Sequence, residues 1–339
     1  MRSAHSRGAR APVGDRARAW AELLRISAAL SVPGDALAGA AARGLRPARG
    51  TLLAIGASVC LYEAGMALND WADRDEDAAE RPHRPIPSGR ISPAAALGAA
   101  TALTATGLAL AARAGRPAGA VATVLAATVW SYDLHWKHTR FGPAAMAAAR
   151  ALDLLLGATA TAPRRPGTGD RAVPGPSAPA GTRPPAGRHS RPASARVPVA
   201  FEASGALPVL RAAAVLGAHT YAVTAVSRHE VHGGSVRAPL GALAAVAVIA
   251  AAAVREGRPV PTALAAAYAR TAVVPYAHAA LNPSPPLTER AVGGGIRAVI
   301  PLQALLAARA GHPAGTVTGL ALTGLIPMAR ALARRVSPT

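Results

Sequence analysis

Residues 92–112, 238–254, 271–288 and 310–329 contain no Asp, Glu, Lys or Arg. A helix that crosses a bilayer needs about 20 mostly apolar residues. A soluble helix of that length carries charge along an exposed face at helical spacing, and these runs carry none. They alternate with short Arg-bearing loops, so the chain reads as an all-α, polytopic transmembrane helical bundle. The candidate spans are 20–42, 51–68, 93–112, 118–132, 143–162, 207–227, 238–254, 262–281, 291–310 and 314–332. The ninth is interrupted by Gly293, Gly294, Gly295, Arg297 and Pro301. It reads as a broken or re-entrant segment.

Charge narrows the function classes. The chain has 37 Lys+Arg against 17 Asp+Glu, a formal +20. A nucleic-acid binder gathers its basic residues on one face or groove; here they flank apolar runs, so no nucleic-acid partner is expected. The single cysteine, Cys60, excludes a disulfide scaffold and a Cys-rich zinc site. The basic tail at 1–19 places the N-terminus in the cytoplasm by the positive-inside rule. Two transmembrane halves, 20–162 and 206–333, flank a Pro/Gly/Arg-rich stretch at 163–205 that reads as a disordered loop; residues 334–339 form a short tail. With the N-terminus inside, that Arg-rich loop falls outside, against the same rule.

The minority charge is the informative one. Six of the seventeen acids lie between Asp70 and Glu80, in "NDWADRDEDAAERPHRPIPSG". At about 100° per residue, Asn69, Asp70, Asp73 and Asp77 project from a helix within about a quarter turn. Three carboxylates and a carboxamide on one face repel one another unless a cation sits among them. Oxygen ligands without His or Cys select a hard ion, Mg²⁺ or Ca²⁺. Arg81, Arg84 and Arg90 follow in a loop stiffened by Pro82, Pro85 and Pro87. Carboxylate-held metal beside arginines makes a clamp for a diphosphate.

"NDxxDxxxD" at 69–77 followed by "RPIPSG" at 84–89 resembles the first Asp-rich motif of the UbiA superfamily of intramembrane prenyltransferases. "ELLRISAALSVPGDALAGAA" (22–41) looks like that family's first helix, and "YDLHWKHTRFGPAAMAAARALDLLLG" (132–157) like its fourth-to-fifth helix turn. Within the family the chain is most similar to the EboC-like branch. The resemblance implies about nine helices around a central cavity, open to the cytoplasmic surface and laterally to membrane lipid. It also implies a prenyl diphosphate bound through Mg²⁺, and a lipophilic, often aromatic, acceptor attacking the allylic cation. Carried onto this chain, Asp70, Asp73 and Asp77 are the catalytic metal ligands, with Asn69 beside them. Arg84 and Lys137, the only lysine of the chain, contact the diphosphate, and Asp133 joins the polar mouth. Arg150 and Asp153 read as an i,i+3 pair facing the cavity, with Arg150 on the substrate side. Glu63, Arg211, Arg270 and Arg297 are also expected to face the interior.

One departure matters. The family's second Asp-rich motif corresponds here to "TYAVTAVSRHEVHGG" (220–234), which has no aspartate. Glu230 is its only carboxylate and the one candidate for a further metal ligand; His229 and His232 read as surface-loop residues. Two readings stay open: an active prenyltransferase with a pared-down metal site, or a catalytically weak member that binds or moves an isoprenoid lipid as an accessory protein. A transporter is disfavoured, because the acids lie at a helix end rather than at mid-membrane.

Overall fold

The computed structural model describes residues 13–161, 200–230, 233–328 and 331. Among them there is helix and no strand. The chain enters through α1 (Val13–Leu23), α2 (Ile26–Ala29) and α3 (Pro33–Ala42), then runs through α4 (Arg49–Ala72), the short α5 (Arg74–Glu80) and α6 (Pro93–Ala114). Next come α7 (Arg116–Ser131), a π-helical turn (Tyr132–Trp136) and α8 (Gly142–Thr161). The second half holds α9 (Ala200–Ser227), α10 (Arg237–Val254), α11 (Pro259–Leu281), α12 (Pro285–Arg309) and α13 (Pro313–Thr323). Six of these helices, α4, α6, α8, α9, α10 and α12, are long and apolar enough to cross a membrane. Helix α9 begins at Ala200, so the loop expected over 163–205 ends earlier; its remainder lies outside the described residues.

Ala and Gly dominate the contacts, which lets backbones approach closely, the packing mode of helices in lipid. One cluster joins α3, α4, α6, α7 and α8 through Ala57, Leu61, Ala122 and Leu156. A second joins α3 and α8 to the later helices through Leu154, Leu216, Tyr268 and Leu302. Helices α3 and α8 therefore belong to both halves and weld them together.

Two expectations about continuity are reversed. The segment 291–310 is neither broken nor re-entrant: it lies within the continuous α12, whose apolar window is 83% buried. Its glycines are packing sites. A Cβ on Gly294 would stand 2.8 Å from Pro275 Cγ, and one on Gly295 only 2.2 Å from Tyr276 Oη. The interrupted segment is the first, expected as one helix over 20–42. It breaks twice, with Arg25 at φ 50°.

The interior polar groups also pair differently from expectation. Arg150 does not face Asp153. Its Nη1 lies 3.1 Å from Asp35 Oδ2, and its Nη2 donates to Ser31 Oγ at 3.4 Å. Asp153 instead accepts from Ser58 Oγ. Gln303 Nε2 donates to Asp35 Oδ1 at 2.6 Å and to the Ser31 carbonyl at 2.7 Å. Glu63 is buried as expected, but Arg211, Arg270 and Arg297 are exposed. Long arms let such guanidinium groups travel along the helix toward a polar layer. Arg297 folds back over Gly293, where a Cβ would sit 3.1 Å from its Nη1.

Candidate active site at the acidic pole

The acidic motif forms where α4 hands over to α5. Asp73 is the junction, at φ −89° and ψ 4°, and its carbonyl accepts the Asp77 N–H at 2.8 Å to restart the helix. Asp75, Glu76 and Asp77 occupy the first turn of α5, where the helix dipole favours carboxylates. The loop that follows is fastened from below. Ile86 and Ile91 are buried with Leu23, Leu68 and Ala96, so the proline-rich stretch is anchored by its isoleucines as well as stiffened by its rings.

Every motif aspartate has a basic neighbour. Arg84 Nη1 lies 2.7 Å from Asp77 Oδ2 and 3.6 Å from Asp70 Oδ1, so one guanidinium ties both carboxylates. Arg81 adds a contact to Asp77 at 3.3 Å. Asp73 turns to the opposite wall, where Lys137 Nζ donates to its Oδ1. Asn69 Nδ2 donates to Asp133 Oδ1 at 3.2 Å. Asp70 and Asp77 are almost fully buried and Lys137 is nearly so, which makes these contacts stronger than exposed ion pairs.

Asp133, beyond the end of α7, has its carboxyl pushed up to about 7, chiefly by burial; the Asn69 amide and Lys137 oppose that rise. Burial likewise pushes the Tyr132 phenol up to about 12, helped by Asp133 and Asp73.

The sequence reading missed three participants. Arg25 reaches Asp70 Oδ1 at 3.5 Å because the first segment breaks there. Glu76 and His138 bring ligand atoms within 4.8 Å of one another and of Asp73. Beside them lies a pocket of about 410 Å³ lined by Trp71, Asp73, Glu76, Asp133, Lys137 and His138 among others. The predicted set is thus split: Asp70 and Asp77 share Arg84, while Asp73 stands with Lys137, Glu76 and His138. Arg90, expected beside the acids, pairs with Glu22 at 2.7 Å and donates to the His83 carbonyl. Arg150 lies within the bundle on Asp35, away from this pole. Glu230 sits in the turn after α9; its charged neighbours are Glu289 and Arg81, and burial, then Glu289, raises its carboxyl above the usual range. His232 lies outside the described residues.

The UbiA prenyltransferase family model matches residues 30–176, which hold the acidic motif, Arg84 and Lys137. Over residues 30–176 the chain is similar to the UbiA prenyltransferase family. With six helices long and apolar enough to cross a membrane, the chain is a multi-pass membrane protein. It is 34% identical over 146 residues to a digeranylgeranylglyceryl phosphate synthase of Ignicoccus hospitalis, 43% of this chain and 48% of that one. To the synthase of Natronomonas pharaonis it is 41% identical over 97 residues, covering 28% and 35%. The matched stretches thus span 35% and 48% of these curated relatives' lengths. Its fold is that of a UbiA homologue from Aeropyrum pernix, with a TM-score of 0.55 and 20% identity over 79% of this chain and 94% of that one. The same holds for a UbiA homologue of Archaeoglobus fulgidus bound to GPP and Mg²⁺, with a TM-score of 0.53 and 18% identity over 91% and 99%.

Proposed function

We propose that this chain is an EboC-like member of the UbiA family and a Mg²⁺-dependent prenyltransferase. It would move a prenyl group from a prenyl diphosphate to a lipophilic, often aromatic, acceptor at the cytoplasmic face. One observation carries the reading: Asp70, Asp73 and Asp77 converge at one pole, each beside a basic side chain that suits a phosphate oxygen. The donor set fits a hard divalent ion through its carboxylate oxygens, at the buried Asp70 and Asp77 and at Asp73 and Glu76, with His138 the one nitrogen ligand beside them. Bound there, Mg²⁺ supplies positive charge to a diphosphate.

The chain's own groups account for the rest. Arg25, Arg84 and Lys137 hold the diphosphate oxygens and stabilise the charge that develops as the allylic C–O bond breaks. Asn69 and Asp133 fix one another at the rim. The apolar bundle holds the isoprenoid tail and keeps water from the allylic cation. The acceptor forms the new bond at that carbon and gives up a proton to the departing diphosphate or to water, and diphosphate leaves with the electron pair of the C–O bond. Support for the donor class comes from the GPP-bound homologue.

The accessory reading is favoured by a different observation: the turn after α9 offers a single carboxylate, Glu230, facing Glu289 rather than a second metal-binding pair. Incubation of the purified protein with labelled geranyl diphosphate and a lipid extract, with and without Mg²⁺, separates the two. Transfer requires Mg²⁺ and is lost in Asp70→Ala and Asp73→Ala. Retention of label without a new prenylated lipid supports the accessory reading and rejects the enzyme.

A further inference from the structure

The second half of the chain reaches the acidic pole through the turn that follows α9. This turn is fixed at both ends. The Gly233 N–H donates to the His229 carbonyl at 2.8 Å, and the Gly234 N–H to the Pro283 carbonyl at 2.8 Å. Gly233 is at φ 64°, and a Cβ there would stand 2.6 Å from the Pro283 oxygen, so the position excludes a side chain. The turn lies between two walls. On one side Glu230 feels Arg81, which is bonded to Asp77. On the other, Arg228 Nη1 donates to the Thr139 carbonyl at 2.5 Å, in the loop that carries Lys137. The Arg228 charge also reaches the Tyr132 phenol, which the Asp73 and Asp133 charges reach too.

Charge pairing sets Arg228 apart from the basic residues that face the acidic motif. Arg25, Arg81, Arg84 and Lys137 each face a motif aspartate, and Arg90 faces Glu22. Arg228, among the described residues, touches a neutral carbonyl and is exposed. A guanidinium has five N–H donors, and one carbonyl engages few of them. The others are available to a planar or tetrahedral oxyanion, the ligand that the fork geometry fits best.

We infer that Arg228 binds the diphosphate of the substrate from the second half of the chain, beside the loop that carries Lys137. The inference rests on the prenyl-diphosphate reading above and names the residue through which the second half engages that substrate. An arginine there contributes positive charge with no carboxylate to hold a metal, so the turn acts as a cationic clamp. Its ligand is a diphosphate ester, and the acceptor makes no contact with it.

Equilibrium binding of labelled geranyl diphosphate to the full-length protein in detergent, with Mg²⁺, tests this without any acceptor. Arg228→Gln is expected to raise Kd about tenfold, about 1.4 kcal/mol. Arg228→Lys should recover part of that loss, because the charge remains and the fork is lost. Arg255→Gln, an exposed arginine at the opposite pole, should leave Kd unchanged. An unchanged Kd in Arg228→Gln overturns the inference, as does an equal rise in Arg255→Gln. Binding without transfer in the wild type rejects the enzyme reading and leaves Arg228 standing. Absence of Mg²⁺-dependent binding in the wild type removes both.

Discussion

Arg150 and Asp35, on α8 and α3, form an ion pair at 3.1 Å inside the bundle, with the carboxylate wholly buried. Asp153, one turn along α8 from Arg150, instead accepts a hydrogen bond from Ser58 Oγ. An ion pair, rather than a lone charge, is the form a low-dielectric interior tolerates. Removing one partner strands the other: Arg150→Met should cost about 3–5 kcal/mol. The double variant Arg150→Met with Asp35→Leu should recover most of it. Thermal and denaturant unfolding in detergent read both, and additive losses in the double variant would contradict the pairing.

Close backbone approach makes a second prediction. A Cβ on Gly157 would lie 2.3 Å from the Ala36 Cα, and one on Gly39 only 2.1 Å from the Leu154 oxygen. Either glycine-to-alanine change forces α3 from α8 and should cost about 1–3 kcal/mol. Gly98→Ala is the control, since a Cβ there meets nothing within 4 Å. It should be neutral or stabilise by about 0.4–1 kcal/mol. Comparison of the three melting temperatures checks this.

Asp133 predicts a pH dependence. Its carboxyl titrates near pH 4 in the unfolded chain and at about 7 when folded. Between those values the unfolded chain has released a proton that the folded protein retains. Folding therefore loses stability as pH rises from about 4 to about 7, and the full penalty stands above that window. Asp133→Asn removes this contribution. Unfolding of wild type and Asp133→Asn in Mg²⁺-free detergent should give a stability difference that grows in favour of the variant across that window. A constant difference would contradict the shift.

The span pattern and the acidic motif were legible because both are local. Charge-free runs and the Asn69–Asp77 spacing survive in one dimension, as does the lone Lys137, which stands against Asp73. What escaped is what tertiary packing decides. Arg150 and Asp153 share a helix face, yet Asp35, distant in sequence, takes the guanidinium. The glycines of α12 look like breakers in sequence and prove to be contact points for Pro275 and Tyr276. Arg25 sits in a run with no proline at its own position, so the break that delivers it to Asp70 left no signal beyond a charge within an apolar segment. His138 follows Lys137 directly, and only the fold brings it to Glu76.

Lys137 separates a substrate contact from a scaffold. Lys137→Ala leaves Asp73 without its cation and should raise KM for the prenyl diphosphate about tenfold or more, with the acceptor KM unchanged. Lys137→Arg should keep most of the affinity, since the charge persists. Steady-state kinetics in both substrates decide it; equal rises in the two KM values would contradict a donor-specific role.

The central claim is that the acidic pole binds prenyl diphosphate with Mg²⁺ for transfer. Its most direct test is the rate of diphosphate release from labelled geranyl diphosphate, measured against Mg²⁺ concentration in the presence of acceptor lipids. Saturable Mg²⁺ dependence is expected in the wild type, with a loss of about 100-fold or more, about 2.7 kcal/mol in the barrier, for Asp73→Asn. Release that ignores Mg²⁺, or that proceeds equally in Asp73→Asn, would contradict it.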